Sequence, residues 1–170
     1  MSKFKDTLKL IEEGLLKPMS DVEVKQVDEE RLKEVVDEIL SRSTKNADGS
    51  IDVEGIVNFY KMNLKELPLK FNKVNGKFYC TYNQLTTLKG APKDVTLNFY
   101  CGSNLLTTLE GGPEKVSGVF DASFNKLTSL EGAPKEVTKD FYCLQFQHFT
   151  NKFTVEQVRE VCKVGGAVYV

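Results

Sequence analysis

Three sets of residues in this 170-residue chain have types and spacings that invite a chemical reading. The first is TKNADGSIDVEG, in which Asn46, Asp48, Gly49 and Ile51 fall where an EF-hand places its third, fifth, sixth and eighth loop residues. Calcium also needs an acid at the first position and a bidentate Glu at the twelfth, and Thr44 and Gly55 stand there. The stretch therefore reads as an Asp-Gly turn leading into a strand. The second set is Cys80, Cys101, Cys143 and Cys162, which lack the C-x-x-C pairs of a zinc site and read as reduced thiols. Cys80 and Cys101 could approach each other if successive coils stacked about 4.8 Å apart, which would suit redox or metal chemistry. Ala122 occupies the same column, so the position asks for a small apolar filler. The third is the lone His148, which has no neighbouring nucleophile or acid pattern and reads as structural. The expectation is a protein without catalytic residues, metal or cofactor.

The elements that position these residues repeat. FYCTYNQLTTLKGAP starts at Phe78 and FYCGSNLLTTLEGGP at Phe99, and a third copy places Phe120 another 21 residues on. Aligned at that step, Phe78, Phe99, Phe120 and Phe141 form one column, and Cys80, Cys101, Ala122 and Cys143 the next. Asn83, Asn104 and Asn125 come after, then Leu85, Leu106 and Leu127, then Leu88, Leu109 and Leu130. Glycines at 90, 111 and 132, prolines at 92, 113 and 134, and valines at 74, 95, 116 and 137 complete the unit. A short fixed period means a solenoid, and this one is too short for a helix pair or a propeller blade. Phe-x-Cys puts two apolar residues on one side of a short strand. The Asn turns the chain and offers an amide to backbone groups that would otherwise be buried unpaired. The leucines fill the coil, Gly and Pro shape its return, and Val closes it. No coil could bury its apolar residues alone, so stacking supplies the core.

The wording NxLTxLxGxPxxV resembles the short leucine-rich repeat of secreted bacterial effectors. FxCxxNxLTSLEGAPxxV more closely resembles uncharacterised leucine-rich-repeat-like proteins encoded by large tailed bacteriophages. The resemblance covers about residues 51–150. It implies an α/β solenoid of about five coils with a parallel sheet, and a phage protein acting on a bacterial host protein. Lys89, Glu110 and Glu131 stand where the effector repeat has its first proline, and no ubiquitin-ligase domain follows, so that activity does not carry over.

The repeats fade at both ends, as capping units do. Val57, Phe59, Leu64 and Leu67 make a degenerate first unit; FYCLQFQHFTNKF keeps Phe141 and Cys143 but puts Phe146 in the Asn column and His148 in a Leu column. Residues 1–50 read as an N-terminal helical cap. Phe4, Leu8, Ile11 and Leu15 recur at helical spacing, DVEVKQV alternates like a strand, and Asp28 caps a helix whose stripe is Leu32, Val35, Val36, Ile39 and Leu40. Residues 151–170 read as a helix-strand cap: Thr154 and Gln157 form a capping box, the helix runs to about Cys162 before Gly165 and Gly166 stop it, and AVYV adds an edge strand.

Residues alternating with the buried ones line the expected concave face. Asn58, Tyr79, Tyr100, Asp121 and Tyr142 make one column, with Thr81, Gly102, Ser123 and Leu144, then Tyr82, Ser103, Phe124 and Gln145, beside it. Tyr79, Tyr82, Tyr100, Asp121, Phe124 and Tyr142 are the candidate partner-binding residues, since exposed aromatic rows are characteristic of interface hot spots. Cross-strand aromatic pairs that only brace the sheet are the alternative.

Composition narrows the classes further. The chain is 41% hydrophobic with a net charge of −1, ordinary for a globular protein. Residues 1–60 carry 9 Lys and Arg against 14 Asp and Glu, and residues 61–150 carry 11 against 8. The lysines alternate with acids, unlike a nucleic-acid face. The charged start MSKFKDTLKL is no signal peptide, and no apolar run reaches the roughly 18 residues of a membrane span. The expectation is a cytoplasmic, non-enzymatic protein-binding module without nucleic-acid or membrane partners; the alternative is a structural, self-assembling or virion-linked protein.

Overall fold

A computed structural model describes residues 28–145 and 153–170. The expected first helix with Phe4, Leu8, Ile11 and Leu15, the DVEVKQV strand, Phe146 and His148 lie outside the described residues. The described chain is a β-solenoid with a 21-residue period. The Phe column makes four such steps, from Val57 through Phe78, Phe99 and Phe120 to Phe141, each residue paired in parallel with the next.

Helix α1 (Glu29–Ser41) closes the N-terminal end. The Asp28 side chain accepts from the Arg31 N–H, and Glu29 and Glu30 lie in the first turn, where the positive end of the helix dipole favours them. Ile39 is buried, and Leu32, Val35 and Val36 pack against the solenoid core. Leu40, expected on the same stripe, is 44% exposed. At 100° per residue it falls one step past the buried face that Ile39 occupies.

Strands β1 (Ser43–Lys45) and β2 (Ile51–Glu54) form an antiparallel hairpin. The residues with EF-hand spacing make its turn, with Gly49 at φ +81°. The Asp48 carboxylate accepts from the Ser50 N–H and hydroxyl and from Lys70 Nζ at 2.8 Å. These bonds, the Lys70 one foremost, hold it far below the usual carboxylate range.

Each coil then contributes two strands, many only two residues long. One sheet runs β1-β2-β4-β6-β8-β10-β12, with β4 Phe71–Asn75, β6 Asp94–Val95, β8 Lys115–Val116, β10 Glu136–Val137 and β12 Lys163–Val164. The other runs β3-β5-β7-β9-β11-β13, with β3 Val57–Asn58, β5 Phe78–Tyr79, β7 Phe99–Tyr100, β9 Phe120–Asp121, β11 Phe141–Tyr142 and β13 Val168–Tyr169. The Val column, which the sequence suggests only as a closure, is thus a second ladder: Val53, Val74, Val95, Val116, Val137 and Val164 pair in register.

The core lies between the sheets. Phe78, Phe99 and Phe120 stack with centroids 5.2 and 5.7 Å apart, and Leu85, Leu88, Leu106 and Leu109 are fully buried around them. Cys80, Cys101, Ala122 and Cys143 are buried in one line. Burial pushes the Cys143 thiol up to about 12 and Cys162 to about 11, and raises Cys80 and Cys101 well above the usual range. They are protonated fillers, since the nucleophile is the thiolate.

Gly90, Gly111 and Gly132, at φ +93°, +80° and +79°, turn each return arm through the left-handed region. Tyr82, Ser103 and Phe124 take the same region at φ +57°, +54° and +58° just before the ladder asparagines, a conformation the sequence does not announce. At the C-terminal end, α2 (Val155–Val161) starts in the Thr154–Gln157 capping box. It ends at Cys162, because the chain passes straight into β12; Gly165 and Gly166 lie beyond that strand and do not stop the helix. Among the described residues no helix is long and apolar enough to cross a membrane.

Candidate interaction face

The two sheets present different outward surfaces. On the seven-stranded sheet, Asp52, Lys73, Asp94, Lys115, Glu136 and Lys163 stand opposite one another on successive strands, so the sign of charge alternates at every step. Glu136 lies 3.5 Å from Lys115 Nζ and 3.2 Å from Lys163 Nζ, and the neighbouring row pairs Glu114 with Lys135 at 2.6 Å. The Lys163 hydrogen bond foremost lowers the pKa of Glu136, and the Lys135 bond that of Glu114. Opposite charges across strands favour this register, and a one-coil slip would oppose like charges. At its C-terminal half this surface pairs its own charges.

The six-stranded sheet carries the aromatic rows. Its outward row reads Asn58, Tyr79, Tyr100, Asp121, Tyr142 and Tyr169 on consecutive strands. Each residue comes directly after a buried Phe or Val, or in the last case the partly buried Val168, and strand alternation turns it outward. Tyr79 stacks on Tyr100 with centroids 4.9 Å apart and planes within 12°, and Tyr142 stacks on Tyr169 at 4.4 Å and 7°. The Asn98 amide donates to the Tyr100 hydroxyl at 2.7 Å. Desolvation foremost, then Tyr169, Asp140 and Asp121, hold the Tyr142 phenol above its ordinary range. Asp121 and Asn58 each accept a hydrogen bond from the N–H two residues on, Ser123 at 2.9 Å and Tyr60 at 3.0 Å.

The structure therefore brings Tyr79, Tyr100, Asp121 and Tyr142 into one half-buried row, and sets Tyr82 and Phe124 beside it, 55% and 41% exposed. Tyr60 meets Tyr82 edge-on at 5.6 Å, and Lys61 Nζ lies 5.2 Å from both ring centroids, within cation–π range. Asn58, Tyr60, Tyr79, Thr81 and Tyr100 line a cleft of about 280 Å³.

Sequence reasoning does not single out Tyr60, Lys61 or Tyr169 as face residues. The 21-residue step carries the signal for two of them, since Tyr60 leads Thr81 and Lys61 leads Tyr82. Tyr169 lies 27 residues after Tyr142, and only the pairing of β13 with β11 puts it in the row. No protein-family model, curated protein or solved structure matches this chain.

Proposed function

We propose that this chain is a non-enzymatic protein-interaction module whose partner docks on the outward face of the six-stranded sheet. The observation that carries this is the run of aromatic side chains across that sheet, two stacked tyrosine pairs flanked by the exposed Tyr60, Tyr82, Phe124 and Leu144. A bracing role accounts for the stacked pairs and for the Tyr60–Tyr82 contact, but apolar side chains left this exposed beside them mark interaction surfaces. Stacked tyrosines are also already ordered, so binding them costs little side-chain entropy. The resemblance in the repeat wording extends the proposal to a phage-encoded protein that engages a bacterial host protein in the host cytoplasm.

The test is retention of a partner from bacterial lysate by the wild-type chain and by Tyr82→Ala and Tyr100→Ala. Each substitution is expected to weaken the complex by about 1–3 kcal/mol. Tyr100→Ala also loses the Tyr79 stack and the Asn98 hydrogen bond, which costs about 1–2 kcal/mol of stability. Tyr82→Ala gives up the Tyr60 edge contact and the Lys61 cation–π contact, so melting temperature is read beside retention for both variants. Stability loss with unchanged binding in both variants would leave the tyrosines as braces only.

A second reading, end-to-end self-association, has its own support. Among the described residues β3 and β13 each pair on one side only, and an unpaired edge is a template for another strand. Sedimentation velocity across a concentration series tests it, and a constant monomeric coefficient refutes it.

A further inference from the structure

We infer that Tyr100, Asp121 and Tyr142 form a slot that receives a guanidinium group, an arginine side chain of the docking partner; this rests on the proposed interaction face. The tyrosine row is interrupted at one interior place. Tyr100 and Tyr142 are both in register with Asp121, one on each side. A tyrosine at 121 would join the two stacked pairs into one continuous stack, so the aspartate gives up ring contacts that the fold favours at this position. The interruption leaves a gap two strand steps wide, about 9.6 Å between the strands bearing the rings. A cation at its centre lies about 4.8 Å from either side, inside the ~6 Å range of cation–π attraction. The rings stack within 12° and 7° of their neighbours, so a planar group lying between strands enters parallel to them.

The charge at the floor of the slot is uncompensated. On the other sheet every acid of the alternating row stands opposite lysines, whereas the cross-strand neighbours of Asp121 are tyrosines. Its Oδ1 accepts from the Ser123 N–H, and among the described residues it has no ion pair. Gly102 and Ser123, small and buried, border the slot on the adjacent row. Aromatic faces on two sides and a carboxylate beneath select a guanidinium over a neutral side chain, and its planar fork over a compact ammonium.

The test titrates the full-length, isotope-labelled chain with acetyl-arginine methylamide and with its citrulline and lysine counterparts. The arginine derivative should bind in the millimolar range and shift the amides of Tyr100, Asp121 and Tyr142, with citrulline at least about tenfold weaker. Asp121→Asn keeps the Oδ1 acceptor for Ser123 and should weaken arginine binding about tenfold with little change in melting temperature. Asp121→Tyr should raise the melting temperature and abolish binding. Equal binding of arginine and citrulline, tighter binding of lysine, or full affinity in Asp121→Asn would each overturn the slot. The two proposals fail separately. A partner held at wild-type affinity by Asp121→Asn but lost in Tyr82→Ala removes the slot and keeps the face; arginine binding that obeys these rules, with no partner sensitive to Tyr82→Ala, keeps the slot and removes the face.

Discussion

Replacing Asn104 by Ala tests the physical account of the solenoid most directly. The Asn104 amide is buried in mid-stack, and its Oδ1 accepts the Leu85 N–H at 3.0 Å. Its Nδ2 donates to the carbonyls of Cys80, Cys101 and Gly102 at 2.9, 3.1 and 3.3 Å. The losses are unequal. Cys80 O keeps Asn83 Nδ2, Cys101 O keeps Asn125 Nδ2, and Gly102 O keeps the Tyr82 N–H. The Leu85 N–H has no other acceptor among the described residues, and one orphaned buried donor costs about 1–3 kcal/mol. With the second partners of three carbonyls also gone, the total is about 2–4 kcal/mol, or about 5–15 °C in Tm for a chain of this size. Urea denaturation with an unchanged m-value is the assay. Asn104→Asp keeps the acceptor for Leu85 but sets a carboxylate against three carbonyl oxygens, so it should be harsher at neutral pH and recover on acidification. A change below about 0.5 kcal/mol in Asn104→Ala, or a milder Asn104→Asp at neutral pH, would refute the reasoning.

Two further outcomes arise from the same packing. A Cβ at Gly118 would lie 2.6 Å from the Leu97 carbonyl oxygen and meet Asn98 Oδ1 as well, so Gly118→Ala should cost about 1–3 kcal/mol in a melt; a neutral result would mean the coils can part there without loss. Glu114, Glu136 and Asp52 have folded pKa values below their ordinary ones, so their contribution is present above the unfolded values of 4.5 and 3.8 and is lost as pH falls through the lower folded values. Thermal stability should decline on acidification below about pH 4.5, with Glu136→Gln flattening that decline; an unchanged slope in Glu136→Gln would show that its two lysines contribute nothing.

Much of the fold is legible in the chain because a solenoid writes its tertiary contacts into a local period. The Phe, Leu and Asn columns occur at a 21-residue step, and each is buried where alignment puts it, down to the degenerate Val57, Phe59, Leu64 and Leu67. The Asp28 cap, the Thr154–Gln157 capping box and the Asp-Gly turn are equally local, each a side chain bonding a backbone group within three residues. The end of α2 is not local. The sequence places it at about Cys162 but credits Gly165 and Gly166, whereas the helix gives way there to strand β12, whose partner β10 lies 27 residues earlier.

The sequence by itself determined the repeat, the buried columns and the outward position of Tyr79, Tyr100, Asp121 and Tyr142, because strand alternation and a constant period are local properties. Tertiary structure alone decided that the valines form a second sheet, since a two-residue strand has no periodicity of its own and exists only through its neighbours' backbone bonds. It also decided which rows meet across coils. The alternating charge ladder, the stacking of Tyr142 on Tyr169 across a break in the period, and the aspartate between two tyrosine pairs are contacts between strands 21 or more residues apart, and stacking of the coils sets them.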